Sequence, residues 1–176
     1  MRNTSRTRTF ATLALAAAAL TATVSAGTAQ AAPAAAGHVT CSAANTEVTV
    51  KKVNSPVNHL LLKATNTGGK TCFAYNAPYL RFDDAQSATA VNRDSVPQAV
   101  VSLEPGQSAY AGILTSTPQG THGYQARDLG VSFANRAWTG SVGGSKDLKL
   151  PGGGVYLDSS AAVTYWQPNA AAALAW

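Results

Sequence analysis

Apolar and polar residues alternate with a period of two through most of the sequence that follows Thr46. In His59–Asn66, for example, Leu60, Leu62 and Ala64 would lie on one face of an extended strand. No later segment of about twelve residues keeps a helical period of 3.6, and glycine turns separate the alternating runs. The pattern predicts an all-β domain, a single antiparallel β-sandwich, with a small β-barrel as the alternative.

The alternating runs also locate the strands. Leu61 is apolar on the face opposite Leu60, so we expect this strand to be covered on both sides and central in its sheet. Glu104-Pro105-Gly106 is typical of a type II turn. We predict flexible turns at Gly140–Ser145 and Pro151–Gly154. The predicted strands are Thr46–Lys51, His59–Asn66, Pro78–Asp83, Thr89–Asn92, Gln98–Leu103, Gln107–Leu114, Asp128–Phe133, Val155–Asp158 and Ala161–Trp166.

The N-terminus has the pattern of a secretory signal peptide. Three arginines precede the uncharged, alanine- and leucine-rich run Phe10–Val24, and small-residue sites follow that end at Ala26 and Ala31. The run is shorter than the about 20 apolar residues that a membrane span needs. We therefore predict a signal peptide over residues 1–31, cleaved after Ala31, and a secreted, extracellular protein with no membrane anchor after cleavage.

Cleavage changes the charge of the chain. The full sequence has 13 Lys and Arg against 8 Asp and Glu, and loss of the three N-terminal arginines leaves 10 against 8, a net charge of +2. A nucleic-acid-binding surface needs basic residues clustered on one face, and the closest pair here is Lys51-Lys52. We predict no nucleic-acid partner.

The two cysteines, Cys41 and Cys72, are predicted to form one disulfide, because an exported chain with two cysteines most simply pairs them. Closing that loop corresponds to roughly 3.5–4 kcal/mol in the chain-entropy model. The remaining length fits a single domain over residues 41–167. A disordered linker over residues 32–40 would precede it, and a tail over residues 168–176 would follow.

Several segments resemble one known family. They are Cys41, Thr65-Asn66-Thr67-Gly68-Gly69 before Cys72, Ala77-Pro78 at the start of a strand, and Leu103–Ala111 with its Pro-Gly turn. Together they resemble the exported domain-of-unknown-function family forty-two thirty-two, which is common in actinobacterial secreted proteins. The resemblance covers about residues 41–114 and implies an extracellular, immunoglobulin-like β-sandwich with no assigned reaction. Such domains often carry a second cysteine pair, which Ala126–Trp176 lacks.

The sequence offers little for catalysis or for metal binding. No Gly-x-Ser-x-Gly elbow accompanies the three histidines, and the adjacent carboxylates Asp83 and Asp84 would point to opposite faces of a strand end. The histidines and aspartates show neither zinc-like spacing nor a calcium-loop pattern. We predict no catalytic residue, no metal site and no cofactor.

Aromatic side chains are the remaining candidates for recognition, because rings exposed on a β-sandwich can stack on sugars or anchor a protein partner. The leading hypothesis is a secreted, non-enzymatic binding module for a cell-envelope polymer, a sugar or an extracellular protein. The alternative is an extracellular hydrolase that uses His59 or His122 with a nearby carboxylate. The candidate surface aromatics are Tyr75, Tyr79, Tyr110, Tyr124 and Trp138.

Overall fold

The computed structural model describes residues 39–176. The predicted signal peptide and most of the predicted linker lie outside the described residues. A short α-helix, α1, spans Ala170–Ala173, and 3₁₀ turns span Arg93–Ser95 and Pro151–Gly153. The strands in the described range are β1 (Val39–Thr40), β2 (Thr46–Lys52), β3 (His59–Asn66), β4 (Cys72–Ala74), β5 (Tyr79–Phe82), β6 (Ala90–Val91), β7 (Val101–Leu103), β8 (Ser108–Leu114), β9 (Tyr124–Ala126), β10 (Asp128–Ala134), β11 (Ser141–Lys149), β12 (Val155–Leu157) and β13 (Ala162–Val163).

The strands form four sheets, and the prediction of an all-β fold is confirmed. A five-stranded sheet has the order β2-β3-β8-β13-β6, and a three-stranded sheet has the order β11-β10-β5. Smaller sheets, β1-β4-β7 and β12-β9, complete the described fold, and no sheet in residues 39–176 closes into a barrel. Most strand pairs are antiparallel, but β1 runs parallel to β4 and β13 runs parallel to β6, so two of the sheets are mixed. The immunoglobulin-like topology stays a prediction.

One apolar core lies between the inner faces of the sheets. Apolar residues at alternate strand positions are buried in this core, as the period of two requires. They include Leu60 and Leu62 on β3 and Leu129 and Val131 on β10. The central position of β3 is confirmed too, since it pairs with β2 on one side and β8 on the other.

The disulfide between Cys41 and Cys72 is confirmed, with both cysteines fully buried in this core. It joins the segment after β1 to the start of β4, which runs parallel to β1. The predicted turn after Glu104 is present as well, because the Gln107 N–H donates to the Glu104 carbonyl and Gly106 has a φ of 84°. Only glycine adopts that backbone region without a steric penalty.

Two local predictions were wrong. We predicted a flexible turn at Gly140–Ser145, but Ser141–Ser145 forms the first half of β11, where Gly143 and Gly144 take φ values of 72° and 77°. They form a bulge opposite the step between Ser132 and Phe133, so glycines that we interpreted as a turn are inserted into a ladder. The predicted strand Ala161–Trp166 is reduced to Ala162–Val163, and beyond it the Trp166 N–H donates to the Asn76 carbonyl.

The C-terminal segment packs against the five-stranded sheet. The Asn169 side chain accepts a hydrogen bond from the Ala172 N–H and caps α1. Ala173 is buried, and its carbonyl lies directly over Gly112 on the outer side of β8. No helix in residues 39–176 has the length and apolar character needed to cross a membrane.

Candidate functional site

A depression of about 1180 Å³ lies over the outer face of the β5-β10-β11 sheet, and we call it the outer groove. Its position follows from strand alternation. Leu80 and Leu129 point into the core, so their neighbours Arg81 and Gly130 point out. The outer groove is lined by Tyr79, Arg81, Asp83, Asp84, Ala88, Gln125, Arg127, Asp128, Leu129, Gly130, Ser132, Gly140, Ser141, Ser145, Asp147 and Lys149.

The centre of the groove floor is Gly130. In register, Gly130 lies between Arg81 on β5 and Asp147 on β11. A methyl group added at Gly130 would lie 3.3 Å from Ser145 Oγ and 3.6 Å from Asp147 Oδ1. The absence of a side chain therefore leaves a floor of bare backbone between polar walls.

The carboxylates at one end of the groove are already engaged. Asp83 Oδ1 accepts hydrogen bonds from the main-chain N–H groups of Arg127, at 2.9 Å, and Asp128, at 2.8 Å. These two bonds hold the pKa of Asp83 below its usual range. Asp128 forms an ion pair with Lys149 at 2.5 Å.

Other polar groups along the floor remain available. Arg81 donates from Nε to the Ala85 carbonyl at 3.0 Å, and its Nη atoms form no hydrogen bond or ion pair with protein among residues 39–176. Within the same residues, the carboxylates of Asp84 and Asp147 accept no hydrogen bond. The groove therefore offers guanidinium donors, carboxylate acceptors and the Ser132 and Ser145 hydroxyls side by side.

A smaller cleft of about 580 Å³ adjoins the groove and shares Tyr79 and Ala88 with it. Its far wall is Trp138, whose ring lies under the Arg93 guanidinium at 5.3 Å and contacts the Tyr165 ring edge-on at 5.2 Å. Trp138 is fixed by these partners. Half-buried Tyr79 is therefore the aromatic residue that both depressions share.

The structure separates the predicted surface aromatics. Tyr75 was wrongly placed on the surface: it is 8% exposed and stacks with Phe73 at 6.0 Å. Tyr110 lies on the outer face of the five-stranded sheet, where its main chain pairs with Gln167. Tyr124 is exposed on β9, and partial burial, together with the charge of Asp83, raises its pKa. Of the five, Tyr79 and Trp138 share one depression.

Sequence reasoning missed the charged part of the groove. Asp147 and Lys149 were not assigned to a binding surface, because the first half of β11 was interpreted as a turn. The outward positions of β10 could have been found, since the alternation of Leu129, Val131 and Phe133 leaves Asp128, Gly130 and Ser132 on the other face.

The histidines proposed for a hydrolase have no catalytic arrangement around them in the described structure. His59 Nδ1 lies 2.7 Å from the Val57 carbonyl, and Nε2 lies 3.3 Å from the Trp176 carbonyl. A general base would instead contact a nucleophile and an orienting carboxylate. His122 is in an exposed loop. No group of three or more His, Cys, Asp and Glu residues within 39–176 is placed to hold a metal ion.

Comparison with known proteins gives one clear match. The family model described as a domain of unknown function, DUF4232, matches residues 41–167. The chain belongs to the DUF4232 family. The matched part of this DUF4232 domain contains both cysteines and the whole outer groove. Searches of curated proteins and of solved structures find no significant match.

Proposed function

We propose that this chain is a secreted, non-enzymatic binding module that holds an uncharged, polyhydroxylated polymer of the cell envelope, such as a glycan, in the outer groove. The observation that carries the proposal is an open sheet face whose donors and acceptors are balanced around the bare floor at Gly130. The predicted signal peptide and the disulfide support an oxidising, extracellular location.

The charges of the groove favour an uncharged ligand. The groove and the adjoining cleft contain equal numbers of basic and acidic side chains, so together they have no net charge that would select an anion or a cation. A sugar hydroxyl both donates and accepts, which suits alternating guanidinium, carboxylate and hydroxyl groups. These charged residues are Arg81, Arg93, Arg127 and Lys149 against Asp83, Asp84, Asp128 and Asp147.

Tyr79 supplies the apolar contact that such a ligand needs. It lies where the groove meets the cleft and is half-buried, so one part of the ring is held by protein and the rest faces the depression. The C–H face of a sugar ring packs against an aromatic face, while the hydroxyls at its edge reach polar side chains. Arg81, two residues away on the same face of β5, is about 6–7 Å further along the strand.

The carboxylates of the groove support binding rather than hydrolysis. A glycosidase needs one carboxyl group whose pKa is raised so that it can protonate the leaving oxygen. In this groove the pKa of Asp83 is lowered by two main-chain hydrogen bonds, and Asp128 is paired with Lys149. The lowered pKa of Asp83 disfavours a protonated acid at that position at neutral pH.

Binding to purified cell-wall polysaccharide tests the proposal. We expect Tyr79→Ala and Arg81→Ala each to weaken binding about tenfold, which corresponds to about 1.4 kcal/mol. The matched control is Tyr156→Ala, which removes a tyrosine that is 49% exposed on β12, outside the groove. Because the ligand is uncharged, affinity should change little between low and moderate salt.

Three outcomes would overturn the proposal: no retention on cell-wall material, retention only on extracellular protein, or equal loss of binding in Tyr79→Ala and Tyr156→Ala. A steep fall in affinity with salt would contradict the uncharged ligand.

A further inference from the structure

The most exposed long strand of the described fold is β11, an edge of the β5-β10-β11 sheet. Seven of its nine residues are exposed, and only Val142 and Leu148 are partly covered. An edge strand presents a row of main-chain N–H and C=O groups that can pair with another strand.

The register between β10 and β11 shows which main-chain groups of β11 point away from the sheet. The Leu150 N–H donates to the Arg127 carbonyl, so hydrogen-bonded pairs between β10 and β11 recur at every second residue from that point. Leu148 and Lys146 therefore direct their main-chain groups toward β10. The main-chain groups of Ser145, Asp147 and Lys149 point outward, and no hydrogen bond occupies them within residues 39–176.

The outward-facing stretch is regular. The bulge formed by Gly143 and Gly144 lies at the other end of β11, and Pro151 begins just beyond Lys149. Residues 145–149 thus form a regular segment between the Gly143-Gly144 bulge and the turn that begins at Pro151. An incoming strand would be confined to this segment, which restricts the possible registers.

Charge distinguishes the registers of two antiparallel copies of this segment. One places Asp147 opposite Asp147 of the second copy, and another places Lys146 opposite Lys146, so both bring like charges together. A third places Asp147 opposite Lys149 of the second copy, twice by symmetry, with Leu148 against Leu148. Opposite charges directly across a pair stabilise it, and like charges destabilise it.

We propose that two copies of this domain associate through β11, in the register that pairs Asp147 of each copy with Lys149 of the other. The hydrogen bonds come from the outward main-chain groups of these residues. The Lys149 side chain is 85% exposed, so it can contact a second carboxylate while it remains beside Asp128. The interface is two-fold symmetric and closed, which limits assembly to a dimer.

The pairing would extend the groove. Joining two β5-β10-β11 sheets at β11 gives one six-stranded sheet, and Asp147 and Lys149 already line the outer groove. The two grooves would therefore meet on one continuous face. A polymer bound across both would gain avidity without new contacts. The pairing itself does not require a ligand, so it can be tested without one.

Analytical ultracentrifugation of the protein lacking residues 1–31 tests the proposal, from about 10 μM to about 1 mM, because a single strand pair makes a small, weak interface. We expect a monomer–dimer equilibrium. Asp147→Lys and Lys149→Asp should each raise the dimer dissociation constant at least tenfold. The double exchange should bring it back to within about threefold of wild type, since opposite charges then face each other again.

Two further variants provide a charge control and a test of the main-chain hydrogen bonds. Lys146→Glu changes a charge on the same strand but on its other face, and it should leave the dissociation constant unchanged. Asp147→Pro removes an outward N–H without breaking the ladder to β10, and it should abolish the dimer while thermal unfolding stays cooperative. A monomer throughout the concentration range, or a double exchange no better than the single variants, would overturn the proposal.

Discussion

Two glycines at the centres of two sheets have opposite surroundings. Gly112 on β8 and Gly130 on β10 both face outward from the core. Over Gly112 lies the carbonyl of Ala173, so closely that a Cβ atom would overlap it. Over Gly130 no backbone lies that close, and the nearest atom to where a Cβ would be is the Ser145 hydroxyl oxygen, at 3.3 Å. The absence of a side chain at Gly112 lets the C-terminal segment pack against β8. The absence of a side chain at Gly130 leaves the floor of the outer groove accessible to a ligand.

The residues around each glycine agree with this difference. Leu61, which pairs with Gly112, is apolar and 4% exposed although it points away from the core. The neighbours of Gly130 on the same face, Asp128 and Ser132, are polar. An apolar outer face needs a cover, whereas a polar outer face is stable in water. The outer face of β10 is therefore the better candidate for binding.

The largest expected effect concerns the core that both faces share. Replacing Cys41 and Cys72 together by Ser should lower the free energy of unfolding by about 3.5–4 kcal/mol, from the entropy of the released loop. Far-UV circular dichroism and tryptophan fluorescence should report the same, earlier unfolding transition. An unfolding midpoint that neither the substitution nor reductant moves would contradict a stabilising role for the disulfide.

The next effect tests the covered face. Gly112→Ala should destabilise the protein by about 1–3 kcal/mol, because the new methyl group must displace the Ala173 carbonyl. Thermal unfolding measures the loss, and amide exchange at Ala172 and Ala173 should show whether α1 has lifted. If Gly112→Ala were as stable as wild type, the C-terminal segment would not be packed there.

The matched substitution on the open face should behave differently. Gly130→Ala meets only the Ser145 hydroxyl at close range, so the cost in stability should be below about 1 kcal/mol. Binding in the outer groove should nevertheless weaken, since the methyl group raises the floor. A variant that loses stability like Gly112→Ala, or that keeps full affinity, would remove the distinction between the two faces.

The smallest effect is a pH dependence at the end of the groove. The pKa of Asp83 is lowered, so its stabilising contribution is present above its unfolded value of about 3.9 and is lost as pH falls through the folded value. Asp83→Asn should therefore reduce stability more at pH 7 than at pH 2.5. The effect should be small, because the carboxylate is solvent-exposed and screened.

Asp84→Asn provides the control for that measurement, since the neighbouring carboxylate accepts no hydrogen bond among residues 39–176. Equal pH dependence in both variants would show that the two main-chain hydrogen bonds to Asp83 are not responsible.

The sequence predicted the parts of the fold that depend on alternation and on covalent pairing. The inward residues of β3, β8 and β10 follow from a period of two, and the disulfide follows from the presence of two cysteines in a chain that we predicted to be exported. The sequence did not predict the first half of β11, because adjacent glycines such as Gly143 and Gly144 occur in β-bulges as well as in turns. The groove was missed for that reason.

Burial of individual aromatics was also beyond the sequence. Tyr75 and Tyr79 flank the same three residues, Asn76-Ala77-Pro78, yet Tyr75 is buried and Tyr79 lines the groove. Tyr75 stacks with Phe73, two residues before it, and Tyr79 lies beside β10; the alternation of apolar and polar residues does not show which of the two rings is covered.

The most direct test of the central claim is a titration of ¹⁵N-labelled protein with a soluble, uncharged cell-wall oligosaccharide, followed by amide chemical shifts. Binding in the outer groove predicts that the largest changes fall on Arg81, Gly130 and Ser132, while Leu61 and Gly112 stay unchanged. Changes centred on Gly112, or no change at saturating oligosaccharide, would contradict the account.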